Sequence, residues 1–139
     1  MKFRYAKFPS DLPSKPWVSR PIIPVRLYGP KDSIPLGALL DSGADRCFFS
    51  EEIGRMIGLD IEQGIRSNLT GVEGQRAPAY LHKVRISVDG MPGDVEVLAG
   101  FTASKGVGAI LGQEGFFDAF KVTFERTRGV VDIAPARTR

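Results

Sequence analysis

Period-two alternation opens the readable part of the chain. From Ile22 to Tyr28, Val25 and Leu27 alternate with Arg26 and Tyr28, the pattern of a half-buried strand with Pro24 near its start. Gly29-Pro30-Lys31-Asp32-Ser33 supplies a turn, and Leu36 to Leu40 returns as an apolar strand that breaks off at Asp41-Ser42-Gly43. A second apolar run, Cys47, Phe48 and Phe49, follows at once. Ser50 then reads as a helix N-cap, with Glu51 and Glu52 in the first turn where the helix dipole favours them. Ile53, Met56 and Ile57 form one apolar side, and Gly58 is the expected C-cap. Ile65 to Tyr80 reads as a hairpin with Val72-Glu73-Gly74 at or near its tip.

Alternation resumes from Ala79 to Val88, with Val84, Ile86 and Val88 set against Lys83, Arg85 and Ser87. The loop Asp89 to Gly93 joins this strand to Asp94 to Leu98 as an antiparallel pair. His82 shares the parity of Val84 and Ile86 and is expected to face inward, without neighbours at metal-ligand spacing. Ala109 to Gly112 is a further strand ending in glycine, and Glu114 to Phe120 a short helix anchored by Phe116, Phe117 and Phe120. Phe120 to Phe124 and Gly129 to Ile133 make a closing hairpin. Seven or eight short strands and two short helices define a mainly β chain.

Residues 1–21 stand apart. Pro9, Pro13, Pro16 and Pro21 disfavour regular helix and central strand, whereas Phe3, Tyr5, Phe8 and Trp17 are costly to leave in water. An arm lying over the body is expected, a packed extension in preference to a removable pro-segment. The body is placed at residues 22–134 and a short tail at 135–139.

Composition narrows the function classes. The chain has 139 residues, 42% hydrophobic and 25% charged, which suits one globular domain with a real core. The lone Cys47 rules out an intrachain disulfide framework. No apolar run is long enough for a membrane span, and the N-terminal residues lack the apolar centre of a signal peptide. The cytoplasm is therefore the expected compartment, with no membrane partner. Net charge is +3, and no aromatic-basic binding motif accompanies it, so a nucleic-acid partner is not expected.

The strand into Asp41 carries the candidate chemistry. A carboxylate delivered by apolar residues to a tight glycine turn loses hydration and must be compensated, which is costly unless the group is used. Taken alone, Asp-Ser-Gly is also an ordinary turn, since Asp and Ser bond to nearby amides. Ala109-Ile110-Leu111-Gly112 with Phe116, Phe117 and Phe120 changes that balance. Leu39-Leu40-Asp41-Ser42-Gly43-Ala44 together with Ile110-Leu111-Gly112 resembles the retropepsin-like, retroviral-type aspartic protease family, over roughly Ile22 to Ile133.

That resemblance implies a mainly β, single-domain acid-protease closed barrel with one or two short helices. It also implies an aspartic endopeptidase acting on polypeptides. One Asp-Ser-Gly per chain implies a homodimer in which two copies of Asp41 meet across a two-fold axis. By the same resemblance Asp41 is catalytic, Ser42 and Gly43 support it, Ala44 and Asp45 line the substrate, and the hairpin at Val72, Glu73 and Gly74 covers it. No metal and no cofactor is implied. The alternative is a retropepsin-fold dimer that binds peptides or a protein partner without cleaving. One residue departs from the family pattern: Gln113 stands where an Arg commonly pairs with the acid at the place of Asp45, and an amide does not replace a bidentate guanidinium. Arg46 is the nearest cation in sequence to compensate.

Overall fold

In a computed structural model, which describes residues 1–70, 76–103 and 108–137, the strands lie largely where alternation predicts them. Strand β4 (Ile22–Tyr28) pairs antiparallel with β5 (Ser33–Leu40) through seven partners, from Ile22 opposite Leu39 to Tyr28 opposite Ser33. Val25 and Leu27 are buried, while Arg26 and Tyr28 stay half-buried, as period two requires.

The remaining barrel strands are β6 (Phe48–Ser50), β8 (Arg76–Val88), β9 (Val95–Thr102) and β10 (Ala109–Leu111). They continue the sheet in the order β4-β5-β10-β6-β9-β8, and β8 pairs back onto β4, closing a six-stranded barrel. Strand β7 (Ile65–Thr70) hangs from β8 outside that ring.

The position of β10 governs the site. It lies between the consecutive strands β5 and β6, parallel to β5 (Leu111 opposite Leu40) and antiparallel to β6 (Ile110 opposite Phe48). The chain from β5 to β6 must therefore arch past the end of β10, and residues 41–47 form that arch.

One hydrophobic core fills the barrel. Ile23, Val25, Leu27, Phe49, Ile86, Phe101, Leu111 and Phe116 are all buried in it, each worth about 1.5–3 kcal/mol of transfer free energy. Phe49 and Phe101 stack with ring centroids 5.6 Å apart. Helix α1 (Glu51–Met56) starts at Ser50, whose Oγ accepts from the Ile53 N–H, and ends before Gly58 at φ +93°. The expected apolar side of this helix is corrected at Met56, which is 61% exposed. Gly54 faces inward instead, so closely that a Cβ there would lie 2.6 Å from Ile61 and 2.8 Å from Phe101.

Helix α2 is shorter than the aromatic spacing predicts, only Phe116–Ala119. It runs into β11 (Phe120–Glu125), which pairs with β12 (Val130–Pro135). The arm adds strands that its prolines did not suggest, all at edges where a missing N–H is tolerated. Strand β1 (Lys2–Arg4) pairs with β12, and β2 (Ala6–Pro9) with β3 (Trp17–Arg20) makes a two-stranded ribbon. The arm is tied to its own chain: Tyr5 N–H donates to the Gly129 carbonyl at 2.7 Å and Arg126 Nη1 to the Ser19 carbonyl at 2.7 Å. Twelve strands result among the described residues, more than the seven or eight expected.

Candidate active site

Asp41 sits where β5 runs out. Its N–H donates to the Leu111 carbonyl at 3.0 Å, so β10 fixes its backbone from the side. Ala44 N–H donates to the Asp41 carbonyl at 3.2 Å and closes a tight turn. Inside the turn, Gly43 N–H donates to Asp41 Oδ1 at 2.9 Å. One carboxylate oxygen is thereby oriented, and Oδ2 has no donor within the chain among the described residues.

Gly43 is not needed for a left-handed backbone, because its φ is not positive. Room is the reason: a Cβ there would stand 3.2 Å from Asp41 Oδ1, crowding the face of the carboxylate. Asp41 and Ala44 are half-buried, whereas Ser42, Gly43 and Asp45 are exposed. Among the described residues no intrachain hydrogen bond engages the Ser42 hydroxyl or the Asp45 carboxylate.

The segment after β10 clamps the arch from beneath. Gln113 N–H donates to the Ala44 carbonyl and Glu114 N–H to the Asp45 carbonyl, both at 2.8 Å. Gly112 passes so close that a Cβ would meet the Arg46 carbonyl oxygen at 2.3 Å and the Ala44 oxygen at 2.7 Å. Glycine is thus required there by backbone-to-backbone contact. The segment turns into α2 through Gly115 at φ +93°, whose N–H donates to the Asp118 carboxylate at 3.1 Å.

Gln113 has a role that sequence reasoning missed. Its Nε2 donates to the Ser42 carbonyl, fastening the turn that carries Asp41. Arg46 does not compensate for the absent guanidinium by pairing with Asp45. Its Nη2 lies 3.7 Å from Glu114 Oε2, a second side-chain tie between the two segments. At the end of the arch, the Cys47 thiol is buried, and burial pushes its pKa up against smaller opposing contributions from backbone hydrogen bonds at Gly112 and Phe116.

The covering hairpin is described only at its base, where β7 and β8 pair from Ile65 opposite Leu81 to Thr70 opposite Arg76. Val72, Glu73 and Gly74 lie outside the described residues. His82, in the middle of β8 and next to the first pair of that hairpin, directs Nε2 to the Ile61 carbonyl at 2.8 Å, a structural hydrogen bond. Among the described residues no group of three or more His, Cys, Asp or Glu side chains could hold a metal ion.

Solved structures share this architecture. The chain superposes on EIAV protease complexed with the inhibitor HBY-793 with a TM-score of 0.51 and 22% identity, covering 68% of this chain and 82% of that one. It superposes on a retropepsin-like aspartic protease from Rickettsia conorii with a TM-score of 0.57 and 12% identity, covering 81% of this chain and 89% of that one. The chain has the retropepsin-like fold, mainly β with a closed barrel and two short helices, as its paired motifs imply. No family model matches the sequence, and no curated protein matches it.

Proposed function

We propose that this chain is an aspartic endopeptidase of the cytoplasm that acts as a homodimer, with residues 22–134 as its catalytic body. The observation that carries the reading is the Asp41 carboxylate, held by Gly43 at Oδ1 and open at Oδ2, on a turn clamped by Leu111, Gly112 and Gln113. One such turn per chain requires a second copy to supply the second acid.

Two carboxyls brought within hydrogen-bond reach retain one proton between them, because two negative charges in a poorly solvated site repel. The shared-proton dyad of aspartic proteases is a standard example of this behaviour. The ionised Asp41 takes a proton from a bound water, and the resulting hydroxide attacks the scissile carbonyl. The protonated Asp41 donates to the carbonyl oxygen, giving a neutral tetrahedral diol. On collapse the carbon–nitrogen bond breaks, a proton passes to the leaving amine, and the dyad returns to one proton. Neither metal nor cofactor takes part. Ser42 and Gly43 support the paired turns, Ala44 and Asp45 line the substrate backbone, and Val72, Glu73 and Gly74 cover it.

The test is cleavage of a peptide library between acidic and neutral pH by the wild-type chain and by Asp41→Asn. Cleavage by the wild type alone, with specific activity falling on dilution as dimers dissociate, is the expected result. Cleavage that survives the substitution overturns the mechanism. No cleavage by a well-folded wild-type dimer assigns the fold to peptide binding without hydrolysis.

A further inference from the structure

The arm and the last hairpin together build a groove that neither forms alone. It has a volume of about 490 Å³ and lies between the β1-to-β3 segment and the turn joining β11 to β12. Five cationic side chains line it: Arg4, Lys7 and Lys15 from the arm, and Arg126 and Arg128 from the turn. No acidic residue lines it. Arg4, Lys7 and Lys15 have no carboxylate partner among the described residues, and Arg128 faces Glu125 only at a solvent-exposed 3.6 Å. Five like charges converging on one concavity are unfavourable without a counter-charge, and the field of such a cleft concentrates anions.

The wall of this groove is aromatic as well as basic. Trp17, the single Trp of the chain, lines it while 53% exposed, and Tyr5 lines it half-buried. An indole left in water at the end of a short strand is costly unless a flat partner covers it. Cations that track a backbone, combined with an aromatic face open for stacking, are the two components of sequence-tolerant single-strand recognition. An acidic peptide would satisfy the cations but would cover Trp17 only where an aromatic residue happened to fall, whereas every nucleotide brings a ring along with its phosphate.

We infer that the groove between the arm and the β11–β12 turn binds single-stranded nucleic acid, with phosphates on Arg4, Lys7, Lys15, Arg126 and Arg128 and a base stacked on Trp17. The site is distinct from the Asp41 turn and the inference does not rest on peptidase activity. From α2 to the groove the chain runs the length of β11, six residues, or about 20 Å of strand. The arm is held in register for this role by the Arg126 bond to the Ser19 carbonyl and the Tyr5 bond to the Gly129 carbonyl.

Fluorescence anisotropy of a labelled oligothymidylate of about 10 nucleotides tests this directly. With five phosphate contacts on a single strand, affinity is expected to fall about 100-fold between about 50 and 200 mM salt. Lys7→Glu with Lys15→Glu is expected to weaken binding at least about 10-fold and to flatten the salt dependence, with thermal unfolding unchanged because both side chains are exposed. Trp17→Leu is expected to lower affinity by about 10-fold while leaving the salt slope intact, the split that stacking predicts. Absence of binding, or binding indifferent to salt and to the charge reversals, overturns the inference. So does polyglutamate that displaces the oligonucleotide at equal chain concentration, because the groove would then be one for acidic peptide.

Discussion

The Gln113 side-chain amide donates its hydrogen bond to the Ser42 backbone carbonyl, 71 positions earlier in the chain. Two segments that meet only in the folded barrel are thereby fastened at the residue next to Asp41. Gln113→Leu keeps the volume of the side chain and removes its donor. It is expected to lower stability by about 1 kcal/mol, measured as a shift in the urea midpoint. On the proposed function, peptide hydrolysis should fall through kcat more than KM, because the lost tie holds the turn that carries Asp41.

Gly112→Ala is expected to be far more damaging. The new methyl would lie 2.3 Å from the Arg46 carbonyl oxygen and 2.6 Å from its carbon, backbone atoms that cannot rotate away. Overpacking of this kind costs about 3 kcal/mol or more. Equilibrium unfolding of the purified variant checks it, and a loss below about 1 kcal/mol would mean that the arch yields easily.

These two neighbours differ in how far the sequence announced them. Gly112 belongs to the second of the paired motifs and so stands out in the sequence. The partner of Gln113 was not legible, because a hydrogen bond to a main-chain carbonyl carries no trace in the identity of the residue that accepts it. The β4–β5 hairpin, the Ser50 cap and the β8–β9 pair were legible from local pattern alone. Strand β8 was legible only in part: Val84, Ile86 and Val88 are buried on one parity, while Ala79 and Leu81 are buried on the other. A strand that leaves the barrel wall changes which face is covered, and period-two reasoning assumes that it does not. Met56 failed for a related reason, since a six-residue helix that packs through Gly54 buries too narrow a stripe for its flanking apolar residue. The arm's strands were hidden by prolines that edge positions tolerate, and its basic groove by the distance in sequence between Lys15 and Arg126.

Mixing experiments separate a shared site from a self-sufficient one. Adding an excess of Asp41→Asn chain to a fixed amount of wild type is expected to suppress cleavage, as active pairs are replaced by mixed ones holding a single acid. Suppression that follows the statistical fraction of wild-type pairs supports one Asp41 per subunit. Activity that stays constant through the titration places both catalytic groups within a single chain.

Alkaline pH is expected to destabilise the fold through Cys47. Burial raises the thiol pKa in the native state above its ordinary value of 9.0. Once pH passes that ordinary value, the unfolded chain releases the thiol proton while the native state keeps it, so the unfolded state binds fewer protons and stability falls as pH rises. The slope approaches about 1.4 kcal/mol per pH unit between the unfolded and native values. Denaturant midpoints measured from neutral to alkaline pH should fall for the wild type and flatten in Cys47→Ala, after allowance for a uniform loss from the small cavity.

Strand β10 enters between β5 and β6 long after both have been made, and this orders events during translation. A ribosome that has finished Asp41 must still add Leu111, Gly112 and Gln113 before the acid is gripped. A nascent or prematurely terminated polypeptide ending before that point carries the motif without the backbone and side-chain bonds that hold it.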